Sequence, residues 1–315
     1  MTGWRRGPGA WIERFFGPAP QQGMVACRIA FGALLFTSYA WKAPWVEVLY
    51  GPAGMGGSEL AARFPAAAFG RPIDAPFRWL AATDSLAVVY AAWALLLAAS
   101  LCFLLGYRTR LAGAVALLLH ASFVARNQYA YFGWAWMAKA FVLYAVLAPS
   151  GRWVSIDAWR RGAGAESWSG VGWPMRLLKL HVCTMYAVAG LARLEDSAWR
   201  HGEMVFVAVT DRGFARFDVD WHPFAAWLEP FSYMAFVAEP LAPLLLWVPG
   251  LGTVWAVLLI LLHLGLELLT HGSWWQWLMM SALLVFLPPR WLEVPLGRID
   301  AIGRRLFRRR SPSPS

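Results

Sequence analysis

The chain alternates long apolar runs with breaks rich in Gly, Pro or charge, and eight runs approach membrane-crossing length: about 24–41, 86–105, 111–126, 133–149, 174–193, 228–248, 251–269 and 273–288. A helix of roughly 20 apolar residues rises about 30 Å, the thickness of the hydrocarbon core. Runs three and eight are short. Pro240 and Pro243 interrupt the sixth, which a span tolerates when neighbouring groups satisfy the freed carbonyls. Making one of these three re-entrant would leave seven spans. The pattern predicts an all-α fold, a polytopic helical membrane bundle of about eight transmembrane helices over residues 24–290. A segment 1–23 precedes it, and a basic tail 291–315 follows, its Ser-Pro end disordered by composition.

Basic residues orient the bundle, because cytoplasmic flanks accumulate Lys and Arg. Three lie in the N-terminal segment (Arg5, Arg6, Arg14), two after the second run (Arg108, Arg110), four between runs four and five (Arg152, Arg160, Arg161, Arg176) and seven from Arg290 onward. Eight spans put these 16 of the 28 basic residues on one face, so both termini are expected in the cytoplasm and the protein in the inner (plasma) membrane. Loops 42–85 and 194–227 hold most of the acids and face outward. Their aromatic residues, including Phe64, Phe69, Phe77 and Trp79 in the first and Trp199, Phe206, Phe214, Phe217 and Trp221 in the second, suit short helices on the outer surface, or a lid.

Composition narrows the function classes. At 59% hydrophobic against 15% charged, the chain is too apolar for a water-soluble protein, and its 21 Trp suit the bilayer interface as well as the core. A net charge of +10 would suggest nucleic acid in a soluble protein. Here the excess flanks apolar runs, so membrane lipids, and no nucleic acid, are the expected partner of Arg304, Arg305, Arg308, Arg309 and Arg310. Cys27, Cys102 and Cys183 lie inside apolar runs with no C-x-x-C pair, and no G-x-S-x-G, Walker loop, G-x-G-x-x-G or H-E-x-x-H occurs.

Ionisable side chains within spans are costly, so each is a candidate functional residue. His120, Arg126, Lys139, Arg193, His263, Glu267, His271 and Gln276 fall toward the outer leaflet; Arg28, Lys179, His181 and Glu239 lie deeper or nearer the cytoplasm. His263 and Glu267, four apart, share a helical face. Together with His120, Lys139 and Arg193 they are expected to line one outward-open polar cavity, or else to form ion pairs that only pin helices together. Glu239 needs a donor, for which Arg28 or His181 is the expected partner. No metal is expected: His271 would complete a zinc set with His263 and Glu267 only at a breaking helix end, among basic neighbours.

Several strings together resemble the HTTM superfamily, which includes the membrane domain of vitamin K-dependent γ-carboxylase and of sporulation-delaying protein B-like bacterial relatives. They are Arg28–Gly32, Gly106–Arg110, Arg126-Asn127 before Gly133, Ser155–Asp157, Ala189–Leu194 followed by Trp199, Glu239 with Pro243, and His263. The resemblance implies a helical bundle and, in the carboxylase, chemistry driven by reduced vitamin K at the extracytoplasmic side. A lysine is its base and a histidine assists. Arg193 stands at the lysine position and Gln128 at the histidine position, and a guanidinium does not deprotonate. The large lumenal domain that binds the carboxylase's propeptide is not among the domains expected over residues 1–315. Glutamate carboxylation is therefore disfavoured.

The resemblance implies instead a quinone-like or other lipid-soluble ligand and service to the modification or maturation of an exported peptide or protein. His120, Arg193 and His263 are the expected catalytic residues, and Arg126, Asn127, Gln128, Lys139, Glu239 and Glu267 the binding residues. The contrasting class is non-catalytic, a small-solute or lipid transporter or a membrane assembly partner, and the sequence leaves open whether any reaction occurs. Orientation has a direct check. Reporter fusions after Ala82, Gly162 and Asp211 should read out, in and out, and a cytoplasmic reading at Asp211 would overturn the assignment.

Overall fold

The computed structural model describes residues 8–57, 72–131, 133–162, 167–272 and 274–307. Phe64, Phe69 and the end of the tail from Arg308 lie outside the described residues. Every apolar run of the sequence is helical. The principal helices are α1 (Gln22–Ala40), α2 (Leu86–Leu105), α3 (Thr109–Arg126), α4 (Trp134–Leu147), α5 (Trp173–Glu195), α6 (Ala225–Leu245), α7 (Leu251–Leu269), α8 (Trp275–Leu283, continued by a tighter turn to Phe286) and α9 (Pro289–Phe307). The chain is an all-α membrane bundle. Among the described residues α1, α2, α5 and α7 are long and apolar enough to cross a membrane, and α8 with α9 is a bent pair, turned by 112°. At 14 residues α4 is short, and α6 carries Pro230, Pro240 and Pro243.

Local chemistry sets the helix ends. Ser85 caps α2 by accepting from the Val88 amide, and Gly106, at φ +70°, ends it in the left-handed region that glycine enters without a Cβ clash. The Asp157 carboxylate then accepts from the Arg108 and Thr109 amides at 2.9 and 3.0 Å, closing the start of α3. Helix α1 sits at the centre, against α2, α4, α8 and α9. A Cβ on Gly32 would fall 2.7 Å from the Leu104 backbone, so glycine permits the α1–α2 approach. The core around α1 is continuous and apolar, with Met24, Phe31, Leu35 and Tyr39 fully buried.

Four basic regions meet at one end. Strand β1 (Pro18–Pro20) pairs antiparallel with β2 (Ser169–Val171), and the Gln21 amide donates to the Gly170 and Val171 carbonyls. Trp159, on the short helix Ile156–Arg161, donates to Asp300 on α9 at 2.8 Å. Arg28, fully buried, donates to the Ser150 and Val154 carbonyls at 3.1 and 2.6 Å. At the far end lie the short helices Val46–Tyr50, Ser197–Arg200 and Met204–Thr210. There Arg216 reaches from its loop to the Glu267 carboxylate and the Thr270 carbonyl, both at 3.0 Å.

Candidate functional site

A cavity of about 430 Å³ lies among α4, α5, α6, α7 and α8. Met137, Met185, Val188, Ala189, Ala192, Leu266 and Met279 give it apolar walls, and its polar lining is His181, Thr184, Tyr186, Arg193, Glu239, His263 and Gln276. Tyr186, Ala189 and Arg193 lie three to four residues apart, so one face of α5 delivers them together. Helix α6 approaches that face at Gly190, where a Cβ would fall 2.7 Å from Pro240, and this contact sets Glu239 opposite Arg193. The two form an ion pair, with Glu239 almost wholly buried and the Arg193 guanidinium lying 4.1 Å from the Trp199 ring centre.

The neighbouring polar group is a one-way hydrogen-bond chain. Gln276 Oε1 only accepts, so His263 Nδ1 carries the proton it donates there, and His263 Nε2 accepts from the Tyr186 hydroxyl at 2.8 Å. His181 also borders the cavity and lies 3.2 Å from the Tyr144 hydroxyl.

A second buried polar cluster occupies the far ends of α1 and α3. Tyr50 donates to Tyr131 at 2.6 Å, Tyr131 to Tyr39 at 2.8 Å, and Tyr39 to His120 Nδ1 at 2.9 Å; His120 Nε2 donates to the Ala135 carbonyl at 3.0 Å. Lys42, just past the end of α1, places Nζ 3.8 Å from the Tyr131 ring centre, with Tyr39 and Trp134 completing an aromatic box. Burial pushes this amine down to about 7, so near neutral pH much of it is a free base.

The structure thus separates residues that the sequence grouped into one cavity. Arg193, Glu239 and His263 come together; His120 belongs to the tyrosine cluster. Glu267 faces away to Arg216, because the loop that supplies Arg216 folds back onto the end of α7. Lys139 lies over the Trp136 ring at 3.9 Å, outside the cavity lining. Arg126 is spent on fastening a loop, donating to the carbonyls of Tyr50 (2.6 Å), Leu80 and Thr83 (2.9 Å). Asn127 does the same for Leu49 at 2.7 Å. The Gln128 side chain lies outside the described residues. Glu239 pairs with Arg193, not with Arg28 or His181, since Gly190 brings α6 against the Arg193 face of α5. Tyr186 and Lys42 are the residues that the sequence reading missed. For Tyr186 the signal was available, a hydroxyl inside an apolar run two turns before Arg193.

A family model for the HTTM domain matches residues 16–291. The chain belongs to the HTTM family. No curated protein and no solved structure matches it. The HTTM match runs from β1 into the first turn of α9, so both buried polar clusters and the cavity beside Arg193 lie inside the family domain, whereas Asp300 and the rest of α9 lie beyond it.

Two outcomes follow from the charges. Removing one partner of a buried ion pair strands the other, so Arg193→Ala should cost about 3–5 kcal/mol, and the double variant Arg193→Met/Glu239→Leu should recover most of it. Denaturant unfolding in micelles measures both, and a double variant no better than the single would show that the charges do not act as a pair. For Lys42, the folded-state pKa near 7 lies below the ordinary 10.5, so between those values the unfolded chain holds more protons and stability climbs with pH. Lys42→Met should therefore raise the melting temperature most at pH 6 and lose that advantage as pH approaches 10.5. An equal shift at every pH would contradict the burial effect.

Proposed function

We propose that this HTTM protein holds a lipid-soluble, quinone-like molecule in the cavity beside Arg193 and serves the modification or maturation of an exported peptide or protein. The supporting observation is the division of the cavity wall. Methionine and aliphatic side chains suit a flat apolar body, and the polar groups gather around Tyr186, Arg193 and His263. A volume of about 430 Å³ falls in the range of small-molecule sites. A bound quinone would supply two-electron redox chemistry, which no side chain here provides.

The chain's own residues do the rest. Arg193 offers hydrogen-bond donors, and its pairing with Glu239 offsets its charge at the polar end. Tyr186 gives its proton to His263 Nε2 and retains a lone pair toward the cavity, so a proton taken up at the Tyr186 oxygen can pass to His263 without a large movement. Gln276 fixes the imidazole tautomer that makes this direction possible.

A second reading places proton abstraction at Lys42, and its boxed, partly neutral amine is what favours it: a lowered lysine can act as a base where Arg193 cannot. Titration of purified protein with a naphthoquinone, followed by tryptophan fluorescence, separates the readings. Tyr186→Phe and His263→Ala should each weaken binding about tenfold, the loss of roughly one good hydrogen bond. Ala192→Phe, which fills the cavity, should abolish it, and Lys42→Met should leave it unchanged. Wild-type affinity in the Ala192→Phe protein would overturn the assignment to this cavity. Hydroquinone oxidation lost in Lys42→Met with binding intact would favour the second reading.

A further inference from the structure

The basic end carries an open cavity of about 1270 Å³ between the helix Ile156–Arg161 and the end of α9. Arg160, Arg161, Arg304 and Arg305 line it, and Trp159 stacked on Phe307 at 5.6 Å forms an aromatic wall. The only carboxylate seen to bond a member of the group among the described residues is Asp300, which accepts from Arg304 Nε at 2.6 Å and from Trp159 Nε1 at 2.8 Å. Asp300 thereby fixes the wall. Arg160 lies over the Tyr107 ring, and Arg160, Arg161 and Arg305 show no ion pair with any described acid. Asp157, the acid nearest in sequence to Arg160, is committed to the start of α3. Among the described residues, three arginines thus line one space with no carboxylate paired to them, which is the chemistry of a phosphate site.

A second observation identifies the source of the phosphate. Helix α9 turns by 112° from the helix before it and exposes an apolar row: Trp291, Val294, Ile302 at 60% and Leu306 at 76% exposure. On a helical wheel these positions fall on one side of α9, and Arg298 and Arg305 share that side, where their long stems can lie along apolar surface while the guanidinium groups reach the headgroup level. Leu306 belongs both to this row and to the cavity wall, so the arginine-lined space opens directly onto the apolar row.

We propose that this cavity binds the phosphate headgroup of an anionic membrane lipid, whose acyl chains run along the exposed row of α9. The site is independent of the cavity beside Arg193. Native mass spectrometry of the detergent-solubilised protein, titrated with phosphatidylglycerol or with phosphatidylcholine of the same chains, tests it. Wild type should prefer the anionic lipid at least tenfold. The triple variant Arg160→Gln/Arg161→Gln/Arg305→Gln should lose about fivefold per arginine and bind both lipids alike. The corresponding triple lysine variant keeps the charge and should retain a clear anionic preference, which guards against loss of fold in the glutamine variant. Ile302→Gln/Leu306→Gln should weaken both lipids. Equal retention of phosphatidylglycerol by wild type and the glutamine variant would overturn the site. Displacement of the lipid by equimolar glycerol phosphate would overturn the lipid as its occupant in favour of a soluble phosphate.

Discussion

A guanidinium out of water cannot escape its charge by losing a proton, so each arginine that the bundle buries must find oxygen acceptors inside the chain. Arg28, Arg126 and Arg193 meet that demand in three ways, and much of the architecture around them follows. Arg28 draws two carbonyls from the connection after α4 onto α1. Arg126 gathers three carbonyls from the far-end loop between α1 and α2. Only Arg193 takes a carboxylate, and it takes it from another helix. The first two have fixed loop backbone as partners. The third has a side-chain partner on a proline-broken helix beside a cavity, which makes it the arginine best placed for a changing environment.

The polar interior is also divided by how its protons are arranged. The tyrosine cluster ends on a backbone carbonyl, so its donors are all consumed within the protein. The Tyr186–His263–Gln276 chain starts at the wall of open space. The first network is closed within the protein, and the second borders open space.

Much of the fold was legible in hydropathy, because span length is a one-dimensional property; the eight runs fall on helices with shifts of a few residues at most of their ends. The Arg193–Glu239 pair was not legible. Helical phase relates residues within one helix, whereas that pair depends on a close contact between α5 and α6 at Gly190. Glu267 shows the opposite failure: its spacing from His263 was right, but a residue from a loop, Arg216, claimed its carboxylate. Lys42 escaped notice because a lysine just beyond a span ordinarily reaches into water, and only the converging rings of Tyr39, Tyr131 and Trp134 hold it back. The HTTM resemblance pointed to the residues around Arg193, and its departures from the carboxylase pattern directed attention to the identity of any base.

The pairing of β1 with β2 bears on how the protein is made. Gln21 and its carbonyl partner at Val171 are 150 residues apart, which at ordinary synthesis rates is about eight to thirty seconds of translation. Throughout that interval α1 through α4 emerge while the segment ahead of α1 waits without its partner strand. Pairing then requires both strands to lie on the same side of the bilayer. The small two-stranded ribbon is therefore among the later contacts to form: a chain whose first helix alone entered in the wrong direction would hold the two halves of the ribbon on opposite sides, unable to close.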